Sequence, residues 1–109
     1  MKFDKINFVL NVLSSEVVLK GKQNLIKLFI VDSIADTQIS EVEYKLQIND
    51  GRNAATIVQD WTALEQWGDF FTDTYTPTFT TKSNIELLVR ITDTAGNIYA
   101  MSHNLQGVL

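Results

Sequence analysis

Glu41-Val42-Glu43-Tyr44-Lys45-Leu46-Gln47-Ile48 alternates without a break: Val42, Tyr44, Leu46 and Ile48 fall on one side, and Glu41, Glu43, Lys45 and Gln47 on the other. Successive side chains of an extended chain point to opposite faces, so this period of two sets an apolar row against a core and a charged row in water. Ile85, Leu87, Val89 and Ile91 repeat the pattern opposite Glu86, Arg90 and Thr92, with Leu88 an apolar residue on the outward side.

Working outward, Ile6, Phe8, Leu10 and Val12 form one face of a first strand. Val17, Val18 and Leu19 continue it, or switch it to a second sheet after Ser14-Ser15, before Gly21 breaks the chain. Leu25 to Val31 is apolar on both faces except for Lys27, the composition of a central strand, with Ile26, Leu28 and Ile30 as its inward set. A last strand runs from Ile98 almost to Leu109. Asn49-Asp50-Gly51 and Thr94-Ala95-Gly96-Asn97 are turn chemistry, because Gly and Asn accept the positive φ that tight hairpins need. Thr72, Thr74, Thr76, Thr78 and Thr80 alternate with Asp73, Tyr75, Pro77 and Phe79, and Pro77 marks that strand as an edge. Trp61 to Trp67 is the one stretch whose spacing suits a helical turn. About seven short strands with no substantial helix describe an all-β, antiparallel two-sheet sandwich, with a small barrel as the rival.

The chain of 109 residues is sized for one domain, residues 1–109, and its hydrophobic fraction of 45% is enough for a core. Thirteen acidic against nine basic side chains give a formal charge of −4, which disfavours nucleic acid and anionic membranes as partners. With no cysteine there is neither a disulfide framework nor a thiolate nucleophile. No apolar run approaches the roughly 20 residues of a membrane-spanning helix, so no membrane insertion is expected. Lys2 and Lys5 before Ile6–Leu13 imitate an export signal only faintly, since Asp4, Asn7 and Asn11 interrupt it and no small-residue cleavage site follows.

The phrase Val89-Arg90-Ile91-Thr92-Asp93-Thr94-Ala95-Gly96-Asn97 resembles the penultimate strand and final hairpin of bacterial immunoglobulin-like domains, which often end in V-R-A-T-D-x-A-G-N. Ile30-Val31-Asp32, Val42-Glu43-Tyr44 and Asp60-Trp61-Thr62 resemble earlier phrases of the same family in the same order, so the likeness covers roughly residues 26 to 100. It departs over the first thirty residues and in the long stretch from Gly51 to Asp69. The resemblance implies an immunoglobulin-like fold and a noncatalytic spacer, adhesive module or assembly part, of the kind found in bacterial surface proteins and phage particles. It also implies that Trp61 is a packing residue.

The residues needed for catalysis are sparse. His103 is the only histidine, and a rim position on an edge strand suits it better than a role as base. The five glycines are too scattered to cradle a phosphate. Glu41 and Glu43 stand about 7 Å apart by strand rise, near a glycosidase spacing, but Lys45 and Gln47 continue the same stripe and mark a solvated face. Asp32, Asp36 and Asp93 are the outside possibility for Ca2+; the simpler reading makes Asp93 the cap of its own hairpin, with Asn97 in the left-handed turn position. No cofactor is expected.

The aromatics are the remaining lead. Trp61, Trp67, Phe70, Phe71, Tyr75 and Phe79 fall close together, and Trp67, Phe70, Phe71 and Tyr75 are the expected partner-facing set. The expectation is a non-enzymatic immunoglobulin-like structural protein, an auxiliary or decoration component of a phage virion that contacts a shell or assembly protein or copies of itself. A domain starting within a few residues of Met1 and complete in itself points that way. The alternative is a spacer or a glycan- or protein-binding module of a bacterial surface adhesin.

Overall fold

A computed structural model describes residues 8–14, 17–32, 39–48, 56–77 and 84–108. Among these, the strands in chain order are β1 (Phe8–Val12), β2 (Val17–Leu19), β3 (Asn24–Asp32), β4 (Ile39–Ile48), β5 (Thr56–Ala63), β6 (Glu65–Trp67), β7 (Phe70–Tyr75), β8 (Asn84–Asp93) and β9 (Ile98–Val108). They form a four-stranded sheet ordered β1-β3-β7-β6 and a five-stranded sheet ordered β2-β9-β8-β4-β5. All pairings are antiparallel except β2 with β9. Relabelled as immunoglobulin strands, the first sheet reads A-B-E-D and the second holds C, F and G extended by one further strand at each edge, β5 beside C and β2 beside G, so the fold is an immunoglobulin-like sandwich.

The chain changes sheets five times, and two of these changes bear on the sequence reading. After β1, the Leu13 N–H donates to the Lys27 carbonyl (2.8 Å) and the Lys27 N–H donates to Ser14 Oγ (3.1 Å), holding the exit from the four-stranded sheet. Val17–Leu19 then pairs with Gln106–Val108 of the other sheet, so the sheet switch at Ser14-Ser15 is the alternative that occurs. The second of the two is at Leu64, whose N–H donates to the Val42 carbonyl (2.8 Å) while its side chain is buried between β5 and β6. The helical turn expected over Trp61–Trp67 is therefore two strands and a crossing. The three-residue spacing of Trp61, Leu64 and Trp67 comes from that crossing, since it resets which side faces inward.

The core is built from the inward rows: Ile26, Leu28 and Ile30 of β3, Val42, Tyr44 and Leu46 of β4, and Ile85, Leu87, Val89 and Ile91 of β8, with Phe71, Tyr75, Leu64, Val18 and Leu105 around them. Tyr44 joins the sheets: its ring lies 6.1 Å from that of Tyr75, and its hydroxyl donates to Asp73 of β7. Burial, then the hydrogen bond to Asp73, push the Tyr44 hydroxyl well above the ordinary tyrosine range, and burial pushes Tyr75 up to about 12. A tyrosine raised in the folded state contributes stability that is complete below its unfolded value, about pH 10, and is lost as pH climbs through the folded value. Tyr75 therefore withdraws its contribution as pH rises from about 10 to about 12. Urea midpoints measured from pH 9 upward should fall along with the appearance of tyrosinate absorbance, and Tyr75→Phe should reduce the slope.

Two strand assignments change. β7 is interior, between β3 and β6, and Pro77 lies just beyond it, fully buried, its carbonyl accepting from the Gly21 N–H (3.0 Å). The edge is β6, joined to β7 through Gly68 at φ 60° in a two-residue hairpin. β9 is also interior, so His103 is half-buried on its core-facing side, opposite Leu87, and not on an edge. Ile6, the Asn49-Asp50-Gly51 turn, Thr78, Phe79 and Thr80 lie outside the described residues.

Candidate interaction surface

Strand alternation gives the four-stranded sheet an outer face as well as a core face, and the register fixes its rows. Asn11, Phe29, Phe70 and Trp67 stand side by side across β1, β3, β7 and β6. Val9 and Val31 form the adjacent pair on one side of this row; on the other, Lys27, Thr72 and Glu65 align, with Leu13 bonded beside Lys27. Leu25 and Thr74 follow. Trp67 is 62% exposed, Val9 and Leu13 each 52%, and Leu25 51%, while Phe29 and Phe70 are half-buried against each other with ring centroids 6.0 Å apart. The Lys27 ammonium sits 4.3 Å from the Phe70 ring centroid, so the one cation of this face among the described residues is drawn onto the aromatic row. A contiguous apolar patch of this kind is uncommon on a monomer unless it is used.

The outer face of the five-stranded sheet has a different character. Arg90 lies between Glu43, whose Oε1 accepts from its Nε (3.0 Å) and pairs with its Nη2 (2.9 Å), and the Trp61 ring, 4.1 Å from the guanidinium carbon. Lys45 approaches the same ring at 5.9 Å, and Gln47 donates to Glu86 (2.8 Å). This is a solvated polar face on which Arg90 and Glu43 form an ion pair. Glu43 is occupied by Arg90, so the Glu41/Glu43 pair is not arranged as an acid and a base. Trp61 is half-buried beneath Arg90 on this surface rather than in the core, because its neighbour Thr62 pairs with the inward Tyr44 and alternation then turns Trp61 outward.

Of the expected partner-facing set, Trp67 and Phe70 lie on the outer face of the four-stranded sheet, and Phe71 and Tyr75 do not. Those two are 7% and 6% exposed and belong to the core. Phe71 is adjacent to Phe70 and must point the other way in a strand, and Tyr75 shares the phase of Phe71. Phe29, Leu25, Val31, Val9 and Leu13 complete the face and were not singled out by composition. Their signal was the two-faced apolarity of Leu25–Val31. A strand central to its own sheet is still covered on one side only in a two-layer sandwich, so its second apolar row marks uncovered surface.

The Asp93 carboxylate is filled from within. It accepts from the Ala95 N–H (2.9 Å), the Asn97 N–H (2.9 Å), the Asn97 side-chain amide (3.2 Å) and the Tyr99 hydroxyl (3.1 Å). Burial opposes its ionisation, but these donors prevail and hold the carboxyl below its ordinary value. It is the hairpin cap, whereas the left-handed position belongs to Gly96 at φ 89° and not to Asn97, since only glycine adopts it without a Cβ clash. Among the described residues no three His, Cys, Asp or Glu side chains are grouped to hold a metal ion; Asp36 and the side chain of Asp32 lie outside them. A carboxyl lowered in the folded state stabilises above its unfolded value, about pH 4, and that contribution is lost as pH falls through the folded value. Unfolding midpoints measured downward from pH 5 should therefore drop, and Asp93→Asn should flatten the decline.

No protein family and no curated protein matches the chain by sequence. Solved structures match its fold. A superoxide reductase (neelaredoxin) from Ignicoccus hospitalis aligns at 9% identity over 94% of this chain and 82% of that one, with a TM-score of 0.61. A conjugative transposon lipoprotein from Bacteroides eggerthii aligns at 18% identity over 90% and 95%, with a TM-score of 0.52. Murine CRIg aligns at 10% identity over 93% and 96%, with a TM-score of 0.51. At such identities the likeness is one of fold, and the fold shared is the immunoglobulin-like two-sheet sandwich.

Proposed function

We propose that this chain is a non-enzymatic interaction module of a larger assembly and that the outer face of the four-stranded sheet is its contact surface. The observation that carries the reading is the row Phe29, Phe70 and Trp67, flanked by Val9, Val31, Leu13 and Leu25, left uncovered above a complete core. Apolar surface gains about 25 cal/mol for each Å² removed from water, so this face gains from being covered. The opposite sheet face is polar at its centre, around Arg90, Glu43 and Lys45, and its exposed apolar side chains, Val17, Leu19, Ile57 and Ile98, are spread over β2, β5 and β9 rather than gathered in one aromatic row. The most specific form of the reading is an auxiliary component of a phage virion, with a shell protein or further copies of the chain as partners. The phrase ending in Asp93–Asn97 and the immunoglobulin-like fold support that form.

A second reading, a module of a bacterial surface protein, is favoured by the fold likeness to the conjugative transposon lipoprotein over nearly the whole of both chains. In that setting Trp67 and Phe70 would serve a protein or glycan ligand. The two readings separate on a density gradient of the cells and particles that contain the chain, followed by peptide mass spectrometry. The virion reading expects the chain in the particle fraction, with Trp67→Ser reducing its retention severalfold. Recovery only with the cell envelope, together with saturable glycan quenching of tryptophan fluorescence that Trp67→Ala abolishes, supports the surface reading. Recovery free of any partner, unchanged by Trp67→Ser, contradicts both.

A further inference from the structure

We infer that a second copy of this chain covers the outer face of the four-stranded sheet, packed face to face about a two-fold axis parallel to the strands. The inference rests on the interaction-module reading and names its partner. Its ground is the order of residues across the sheet. A two-fold axis along the strands, midway between β3 and β7, sets β3 over the β7 of the second copy and β1 over its β6. Phe29 then stacks on Phe70 of the second copy, and Trp67 covers Asn11 beside Val9, so the aromatic row is its own complement. In the same arrangement Lys27 lies over Thr72 of the second copy, one strand spacing, about 4.8 Å, from Glu65 of that copy.

An axis perpendicular to the strands would set the Lys27 row over Val9 and Val31, burying the ammonium under methyl groups of the second copy instead of bringing it near a carboxylate. Charge thus selects one operator. Size is adequate for a reversible dimer: four strands at about 4.8 Å spacing and about six residues at 3.3 Å rise project roughly 400 Å². With side-chain relief, two such faces approach the roughly 1,000 Å² that a specific interface needs, which suits a micromolar rather than a nanomolar pair. The aligned packing of two twisted sheets about 10 Å apart is the geometry the sandwich already uses internally.

Sedimentation equilibrium of the chain from about 1 µM to about 500 µM tests this, spanning the affinity range such an interface allows. The wild type should approach twice 12.3 kDa at the upper end. Trp67→Glu, at an exposed position that leaves the core intact, should weaken association about thirtyfold or more, as the loss of an interface tryptophan replaced by a charge does. Lys27→Glu and Glu65→Lys should each weaken it severalfold by placing like charges together, and the double exchange should restore it to within about threefold. Circular dichroism melts of each variant separate lost pairing from lost folding. A monomer at every concentration overturns the inference, as does a dimer indifferent to Trp67→Glu or a double exchange that does not rescue. A monomer still retained on particles through a Trp67-sensitive contact overturns the self-pairing alone and leaves the module reading in place.

Discussion

Tyr44→Ala lowers the unfolding free energy by about 4 kcal/mol, the largest single-residue effect expected in this chain. Tyr44 is fully buried at the centre of β4, so truncation opens a cavity where the two sheets meet. It also removes the ring packed against Tyr75 and leaves Asp73 without its hydroxyl donor. Tyr44→Phe separates these contributions: the ring remains, and the cost falls to about 1–3 kcal/mol, the penalty for stranding a half-buried acceptor. Urea titrations of both variants check the values. Equal costs for the two would mean that packing contributes nothing; no cost for phenylalanine would mean that water replaces the Tyr44 hydroxyl at Asp73.

Leu28→Ala and Leu25→Ala test the two faces of β3 against each other. Leu28 is fully buried and paired with Phe71 and Val12, so its truncation should cost about 3 kcal/mol. Leu25 is half exposed on the outer face, and its truncation in the isolated chain should change stability by no more than about 0.5 kcal/mol. The same chemical change three residues apart thus differs by several kcal/mol. Comparable costs at both positions would mean that the outer face is already covered within the chain.

The sandwich was legible wherever one face of a strand is wet. β4 and β8 announced their inward rows because charged residues occupy the alternate positions, and both rows are in the core. Legibility failed where the chain changes sheets. Around Leu64 the inward phase resets, so Trp61 and Trp67 looked like helix neighbours although they lie on the outer faces of opposite sheets. The long stretch from Gly51 to Asp69 puzzled for the same reason, since it holds both β5 and β6. The site was half legible: aromatic density pointed to Trp67 and Phe70, but density carries no direction, and only the alternation along β7 assigns Phe71 and Tyr75 to the core. Phe29 and its aliphatic neighbours join the face through pairings distant in sequence, which no local pattern displays.

The most direct measurement places a photo-crosslinking amino acid at position 67, and in a parallel chain at position 104, then irradiates the assembled material and identifies the joined peptides. Both positions are exposed, one on the edge strand of the four-stranded sheet and the other on the outer side of β9 in the five-stranded sheet. The account predicts products from position 67, joined to a neighbouring protein or to the same sheet of a second copy, and few or none from position 104. Products from position 104 with none from 67 would contradict it.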